Sequence, residues 1–202
     1  MASERSDSQS TREVYDAIAE HYGDRHSGIS NPYRKLERFV PSAGRYALDV
    51  GCGPGRDTLQ LAKHFDRVLG LDVSENMVSL ARQAAFSPNI EFRRLDILDL
   101  DDGPFDFIWA NAILHHLNPD ELQRCFDVFS KCSSDACSIA ITVRTDIKHG
   151  FDDEYPGHPR LYFGYSADEL AALAENIGCS VTFQEEQKTS RKAWLFVLLS
   201  KG

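Results

Sequence analysis

Long apolar runs are missing from this sequence. No stretch approaches the roughly 20 apolar residues that a membrane-spanning helix needs, and the polar start, MASERSDSQS, lacks the apolar core of a signal peptide. These absences argue against a helical membrane protein and against a secreted precursor. We therefore expect a cytoplasmic protein without a membrane partner, beginning with a flexible tail over residues 1–12.

Cysteine and positive charge are also in short supply. The five cysteines, at positions 52, 125, 132, 137 and 179, form neither a C-x-x-C pair nor a zinc spacing, so we expect no disulfide framework and no metal. The 22 Lys and Arg residues against 31 Asp and Glu give a net charge of -9. Binding along a phosphate backbone needs clustered cations, so the balance argues against a nucleic-acid partner, although a local basic patch remains compatible with it.

The rest of the composition is that of one ordinary domain, with 202 residues of which 42% are hydrophobic. From about residue 45 to residue 145, β-rich runs alternate with helix-like stretches, which predicts a parallel sheet with helices on its faces. The expected strands are RYALDV, RVLGLDV, IEFRRLD, FDFIWAN and CSIAITVR. The expected helices between them are DTLQLAKHF, ENMVSLARQAA and DELQRCFDVFSK.

Two further segments flank this alternating core. Upstream, Val14, Ile18 and Tyr22 recur four apart, which predicts an amphipathic helix that packs on the sheet or lies across its ligand cleft. Downstream, a helix with the capping box Ser166 and Glu169 precedes the strands CSVTFQEEQ and KAWLFVLLS. A polar turn joins these two strands, so they are expected to form an antiparallel hairpin.

The stretch ALDVGCGPGRDT, residues 47–58, closes the first expected strand with three glycines in five residues. In an alternating α/β chain, such a turn is where a nucleotide-like ligand binds, at the carboxyl ends of the strands. Arg56 or Thr58 stands where the third glycine of a dinucleotide fingerprint belongs, and the chain has no P-loop. The turn therefore predicts a ligand without a pyrophosphate.

Two aspartates at strand ends narrow the choice of ligand. Asp49 would repel a pyrophosphate but suits an ammonium group or other hydrogen-bond donors. Asp72 ends the second strand, where an acidic side chain can accept both hydroxyls of a ribose. A ribose without phosphate, joined to a positively charged amino-acid-like end, describes S-adenosylmethionine.

The segments LDVGCGPGRDT, GLDVSENMVSLAR, RRLDILDL and FDFIWANAILHHL resemble, in this order, the motifs of the class I S-adenosylmethionine-dependent methyltransferases. The resemblance covers about residues 14–145 and is greatest for small-molecule-type methyltransferase domains. It implies an α/β, Rossmann-like, doubly wound and mostly parallel seven-stranded sheet with a C-terminal antiparallel hairpin and helices on both faces. The expected single domain, residues 13–202, comprises a helical cover over 13–44, a cofactor-binding core over 45–145 and a lid over 146–165.

The resemblance also implies which residues bind the cofactor. On the methionine side these are Asp49, Gly51, Gly53, Gly55 and Asn111, of which Asn111 also faces the substrate cavity. On the adenosine side they are Asp72 at the ribose, Val73 and Met77 at the adenine face, and Asp96 and Ile97 at the adenine edge. Tyr22, which shares a helix face with Tyr15, would reach over the cleft if the N-terminal helix is a cover.

Some of these residues have simpler alternative roles. Met77 lies at helical spacing from Leu80 and Ala81, so plain core packing accounts for it equally well. Arg56 either forms an ion pair near Asp57 or reaches the methionine carboxylate.

Methyl transfer from a sulfonium needs neither a metal nor a covalent intermediate, and it needs a base only if the acceptor must lose a proton. His115 and His116 follow the fourth strand and either supply such a base or serve the shared architecture. Asn111 is followed by A-I-L, so the N-P-P-Y signature of one class of amino-group methyltransferases is absent. We expect a small-molecule acceptor of unidentified structure and assign no catalytic residue.

The segment DIKHGFDDEYPGHPRLYFGY, residues 146–165, is long for an α/β connection and rich in aromatic residues, which predicts a lid. Its candidate pocket residues are Tyr155, His158, Arg160, Tyr162 and Tyr165, with Arg160 suited to a carboxylate. Alternatively, some of these aromatic residues only anchor the loop. Two other functions stay open: a non-catalytic relative that binds cofactor or a partner, and an NAD-dependent oxidoreductase.

Overall fold

The computed structural model describes residues 4–25, 37, 40, 44–84, 86–152, 154–188 and 192–202. The helices are α1 (Glu4–Arg25), α2 (Arg56–Leu61), α3 (Glu75–Ala84), α4 (Pro119–Cys132) and α5 (Ala167–Asn176). The strands are β1 (Gly44–Val50), β2 (Phe65–Asp72), β3 (Ile90–Arg94), β4 (Phe105–Asn111), β5 (Ser133–Arg144), β6 (His149–Asp152), β7 (Arg160–Phe163), β8 (Cys179–Lys188) and β9 (Ala193–Lys201). In this part of the chain, no helix has the length and apolar composition needed to cross a membrane.

Seven of these strands form one sheet in the order β3-β2-β1-β4-β5-β9-β8. Strands β1 to β5 pair in parallel, whereas β9 runs antiparallel to both β5 and β8. The expected doubly wound sheet with its C-terminal hairpin is therefore confirmed. The strand order reverses between β1 and β4, and in sheets of this kind ligands bind outside the carboxyl ends of the strands at that point.

Strand β4 lies at the centre of the sheet and is buried on both faces. Phe107 and Trp109 pack on one face with Leu61 and Phe65, and alternate residues such as Phe105 pack on the other face with helix α4. A parallel strand covered by helices on both sides has no solvent face, so it reads as a continuous apolar run. The five cysteines are buried free thiols.

Two expected boundaries are wrong. Helix α1 begins at Glu4, so residues 4–12 are helical where we expected a flexible tail. Helix α2 ends at Leu61, short of the expected stretch, because Phe65 already begins β2. Of the expected cover over residues 13–44, residues 26–36, 38–39 and 41–43 lie outside the described residues.

Helix α4 provides a test of how local sequence contributes to stability. The Asn118 side chain accepts the amide hydrogen of Glu121 at 2.9 Å, and the Glu121 carboxylate accepts that of Asn118 at 3.0 Å. Replacing Asn118 by Ala leaves an amide at the helix start without its acceptor, so we expect the free energy of unfolding to fall by about 1 kcal/mol in urea titrations. The control Arg124→Ala, at an exposed position of the same helix, should change it by less than about 0.5 kcal/mol.

Candidate active site

The glycine turn folds back over the end of β2. Gly53 has a positive φ of 52°, which glycine adopts without strain, and its amide donates to the Asp72 carboxylate at 2.9 Å. The amide of Cys52 donates to the carbonyl of Leu71 at 2.8 Å. These two contacts hold the turn against the neighbouring strand at the carboxyl edge of the sheet.

Asp72 is placed by backbone donors and keeps acceptor capacity to spare. Besides Gly53, the amide of Ser74 donates to its second carboxylate oxygen at 2.9 Å. Burial raises the pKa of Asp72 above its usual value despite these donors. A carboxylate offers about four acceptor sites, so Asp72 keeps acceptor capacity for a ligand in the cavity that it lines.

Asp49, at the carboxyl end of β1, is 2% exposed and accepts the hydroxyl hydrogen of Thr58 in helix α2. Burial, together with the neighbouring charge of Asp57, raises the pKa of Asp49 to about 7. A positively charged group bound beside Asp49 would therefore favour the ionised form of its carboxyl group.

Asp57, which the sequence analysis did not single out as a site residue, organises the end of β4. Its carboxylate accepts from the Trp109 indole at 3.2 Å and from the Asn111 amide at 2.9 Å, and it pairs with Arg56 at 2.9 Å. The Asn111 carbonyl oxygen accepts the Thr142 hydroxyl at 2.6 Å. Both ends of the Asn111 amide are thus engaged within the protein, and Arg56 takes the ion-pair alternative.

Two adjoining cavities follow the carboxyl edge of the sheet and share Tyr15 and Gly51 in their walls. The larger, of about 330 Å³, is lined by the expected methionine-side residues Asp49, Gly51, Gly53 and Asn111 and by Tyr22 of helix α1. The smaller, of about 60 Å³, is lined by the expected adenosine-side residues Asp72, Val73, Asp96 and Ile97. Met77 and Gly55 line neither cavity: Met77 is 1% exposed in the core, and Gly55 is the N-cap of α2.

Helix α1 crosses both cavities and is tied to the adenosine side by polar contacts. Arg12 pairs with Asp96 at 2.6 Å. Asp16 accepts from the Ser74 hydroxyl at 2.7 Å and from the Asn76 amide at 3.0 Å, at the start of α3. Residues of helix α1 therefore form part of the walls of both cavities.

Both ring nitrogens of His116, the second histidine after β4, have hydrogen-bond partners in the protein. Its Nδ1 lies 2.9 Å from the carbonyl oxygen of Leu161, which can only accept, so Nδ1 of His116 carries the hydrogen. Burial lowers the pKa of His116 to about 4, so the ring is neutral and Nε2 accepts from the Tyr15 hydroxyl at 2.9 Å. His116 therefore joins helix α1 to strand β7.

His115 has the opposite tautomer. Its Nδ1 accepts the backbone amide hydrogen of Arg144 at 3.2 Å, and a backbone amide can only donate. Burial lowers the pKa of His115 well below its usual value, so the neutral ring carries its hydrogen on Nε2. His115 lines the larger cavity, where Nε2–H has no acceptor among the described residues.

The expected lid contains the antiparallel pair β6 and β7, which is held by buried ion pairs. Asp152 bridges Arg144 and Arg160, whose side chains are 7% and 4% exposed. Glu154 pairs with Arg160 at 3.0 Å and with Lys192 at 2.7 Å. Arg160 is thus already paired with carboxylates of the protein.

Two of the five candidate lid residues, Arg160 and Tyr162, line the larger cavity, whereas Tyr155, His158 and Tyr165 do not. The Tyr165 hydroxyl donates to the carbonyl of Leu117, so this aromatic residue anchors the segment to the core.

The similarity of this chain to known proteins lies in the segment that carries these motifs. Residues 47–134 match the family model for a methyltransferase domain. Trans-aconitate 2-methyltransferase from Deinococcus radiodurans is 43% identical over 95 residues, which are 45% of this chain and 35% of that protein. Ubiquinone biosynthesis O-methyltransferase from Coxiella burnetii is 35% identical over 98 residues, which are 46% of this chain and 42% of that protein. The chain therefore matches less than half of the length of these curated relatives.

Solved structures share the fold over nearly the whole chain. The structure of Burkholderia thailandensis 1,6-didemethyltoxoflavin-N1-methyltransferase, with 1,6-didemethyltoxoflavin and S-adenosylhomocysteine bound, has a TM-score of 0.79 at 19% identity and covers 100% of this chain and 91% of that one. Magnesium protoporphyrin IX methyltransferase from Synechocystis has a TM-score of 0.75 at 17% identity, covering 96% and 99%. The family model for a methyltransferase domain thus matches the part of the chain that carries the ordered motifs, and the whole chain shares its fold with solved methyltransferase structures.

Proposed function

We propose that the protein transfers the methyl group of S-adenosylmethionine to a small-molecule acceptor. The observation that carries this proposal is the pair of adjoining cavities at the switch point of the sheet, with Asp72 in the wall of one and Asp49 in the wall of the other. Asp72 would accept the ribose hydroxyls, and Asp49 would bind the ammonium group of the methionine portion. The names of the relatives, which act on small molecules, support the same choice.

The remaining site residues would hold the two ends of the cofactor. Val73, Asp96 and Ile97 would meet the adenine, and the bare backbone of Gly51 and Gly53 would lie against the methionine portion. Met77 would support the adenine wall from the core, and Gly55 would let the turn enter α2. Asn111, immobilised by Asp57 and Thr142, would form a fixed wall between cofactor and acceptor.

For methyl transfer, the main task of the protein is to align the acceptor with the cofactor. The acceptor atom, the methyl carbon and the sulfur must lie in line, so the protein contributes by positioning the partners and excluding water. A volume of about 330 Å³ is within the range of small-molecule pockets. The walls of this cavity also include Tyr162 and Trp194, which provide flat apolar surfaces for an acceptor.

Cofactor entry requires helix α1 to move. The smaller cavity, of about 60 Å³, holds only a few water molecules, and Arg12 pairs with the Asp96 carboxylate that would meet the adenine. We infer that α1 opens to admit the cofactor and closes over it, as covers of active sites do.

The cofactor assignment is tested by calorimetry with S-adenosylhomocysteine and NAD. We expect the first to bind and the second to give no signal. Asp72→Ala should weaken S-adenosylhomocysteine binding by about 1.5–3 kcal/mol, because a charged acceptor for the ribose is removed. The control Asp66→Ala changes an exposed aspartate at the other end of β2 and should leave the affinity unchanged. Comparable NAD affinity would contradict the assignment.

The raised pKa of Asp49 predicts a pH dependence of cofactor binding. A carboxyl group with a pKa of about 7 is mostly protonated at pH 6, and binding of an ammonium group requires its ionised form. Affinity for S-adenosylhomocysteine should therefore rise up to about tenfold per pH unit below pH 7 and level off above it. Asp49→Asn should abolish this slope; an unchanged slope would show that another group is responsible.

The raised pKa of Asp49 also makes the stability of the unliganded protein depend on pH. Because the folded state holds a proton on Asp49 that the unfolded state releases near pH 4, the stabilising contribution of this proton is full at low pH and is lost as the pH rises through 7. Urea titrations at pH 5 and 8 should show this loss in the wild type and a smaller one in Asp49→Asn.

The cover is tested by amide hydrogen exchange. Exchange across residues 12–25 should slow when S-adenosylhomocysteine is added, because closure of α1 over the ligand suppresses its opening. Helix α4, which lies away from both cavities, serves as the internal control. Equal exchange in α1 with and without ligand would show that the helix is permanent packing.

Catalysis itself is tested with radiolabelled S-adenosylmethionine and a panel of small acids, phenols and amines. Trans-aconitate is included because it appears in the name of one curated relative, and hydroxyl compounds are included because another is named as an O-methyltransferase. Transfer of label to any member supports an enzyme, whereas cofactor binding without transfer to the panel or to a small-molecule extract favours a non-catalytic relative.

A further inference from the structure

The imidazole rings of His115, in the wall of the larger cavity, and His116, in the wall of the smaller one, are unable to act as bases in this structure. His116 uses both ring nitrogens within the protein, on Leu161 and Tyr15. His115 uses Nδ1 as acceptor for the Arg144 amide, so its other nitrogen carries a hydrogen and can only donate. A histidine locked in this tautomer presents a hydrogen-bond donor to the cavity.

The deeply placed carboxylates are engaged as well. Asp49 accepts from Thr58 and would bind the ammonium group of the cofactor, and Asp57 accepts from Trp109 and Asn111. Glu154 is ion-paired with two cations, Arg160 and Lys192, which stabilise its charged form and make it a poor proton acceptor. Glu185, on the outermost strand β8, is the remaining carboxylate in the cavity wall, and the experiment below includes it.

The surroundings of His115 favour a flat anion. Burial lowers the pKa of His115, with smaller contributions from His116 and from the charges of Arg144, Arg160 and Lys192. These three cations line the same cavity as His115, and each is ion-paired with a carboxylate of the protein. Tyr162 stacks on the His115 ring with centroids 4.8 Å apart, and Trp194 lies 5.9 Å from it. Both aromatic residues also line the larger cavity, so an unsaturated or aromatic group bound beside His115 would meet flat surfaces.

We propose that the acceptor is an unsaturated or aromatic carboxylic acid, bound as its carboxylate, with the Nε2–H of His115 donating to one carboxylate oxygen while the other oxygen attacks the methyl group. This inference rests on the proposed function. A new C–O bond forms, the C–S bond of the sulfonium breaks with its electron pair going to sulfur, and the products are a methyl ester and a neutral thioether. No proton is transferred, so no base is needed.

The alternative acceptors each require a proton acceptor. A phenol has a pKa of about 10, and an amine is held as its ammonium form by a pKa near 10.4 in the case of lysine. A carboxylic acid with a pKa of about 4 is already ionised at neutral pH. Of these acceptor types, the carboxylate is therefore the one matched to a cavity whose wall offers the His115 donor and cationic side chains.

The first experiment reads the tautomer of His115 directly. Nitrogen chemical shifts of the imidazole, assigned by comparison with His115→Gln, distinguish Nε2–H from Nδ1–H and from the charged ring. We expect Nε2–H from pH 6 to pH 8, with and without S-adenosylhomocysteine. An Nδ1–H tautomer, or a ring that becomes charged in this range, would overturn the proposal.

The second experiment measures binding of acids to the complex with S-adenosylhomocysteine. The probes are benzoate and trans-cinnamate, each paired with its neutral amide and alcohol. We expect at least one acid to bind at least tenfold more tightly than its neutral partners. His115→Leu should lose this preference, and His115→Gln, whose amide can still donate, should largely retain it. Absence of acid binding, or equal binding of acid and amide, would overturn the proposal.

The third experiment identifies the product formed from S-adenosylmethionine carrying a labelled methyl group. A methyl ester releases labelled methanol in mild alkali, whereas methyl ethers and methylamines do not. Alkali-stable product would show that the acceptor is not a carboxylate, and loss of transfer in Glu185→Gln with acid binding retained would identify a base; either result overturns the proposal. Failure of S-adenosylhomocysteine to bind the wild type would instead reject the proposed function, while the tautomer of His115 would still be measured.

Discussion

The hydrogen bond from the Gly53 amide to the Asp72 carboxylate joins the ends of two neighbouring strands, and the rest of the site is arranged around it. It requires a residue that adopts a positive φ at position 53 and an acid at the last position of β2. With the turn held there, the chain enters α2 directly at Arg56, and the first turn of that helix carries Asp57 and Thr58. Those two side chains in turn fix Asn111 and Asp49 at the ends of the adjacent strands.

This arrangement gathers two buried carboxylates, Asp49 and Asp57, and the partly buried Asp72 around one turn. Asp57 has Arg56 as its counter-ion, but Asp49 and Asp72 are held by a hydroxyl and by backbone amides, and both have raised pKa values. Desolvated acids that repel each other destabilise the unliganded protein, and a cationic ligand relieves part of that cost. S-adenosylmethionine carries two positive centres, an ammonium and a sulfonium, so the same electrostatics that weaken the empty site would favour the proposed cofactor over its neutral-sulfur product.

The sequence predicted the parts of this site that depend on residues close together in the chain. The alternation of strands and helices, the glycine turn and the two strand-end aspartates each lie within a few residues of the signal that reveals them. The contacts between Tyr15 and His116, between Asp57 and Asn111, and between Asn111 and Thr142 join positions 31 to 101 residues apart. No local pattern reports such distances, and the tautomers of the two histidines follow from backbone partners that the sequence does not reveal. For Met77 a local pattern exists but does not decide the role, because its helical spacing fits both a cofactor wall and the core that it occupies.

The two segments over the cavities differ in how they are held, and this difference separates their roles in the proposed function. The β6–β7 pair is fixed by Asp152 between two buried arginines, and breaking one of these contacts would leave an uncompensated charge inside the protein. Helix α1 is attached by partly exposed polar contacts, such as Arg12 with Asp96, and by neutral hydrogen bonds, such as Tyr15 with His116. Opening these contacts leaves no uncompensated buried charge. Moving α1 therefore costs less free energy than moving the β6–β7 pair. Helix α1 would open to admit the cofactor, while the β6–β7 pair keeps its shape. A rigid β6–β7 pair beside His115 can select an acceptor by shape and charge, because the cavity wall does not rearrange around the bound acceptor.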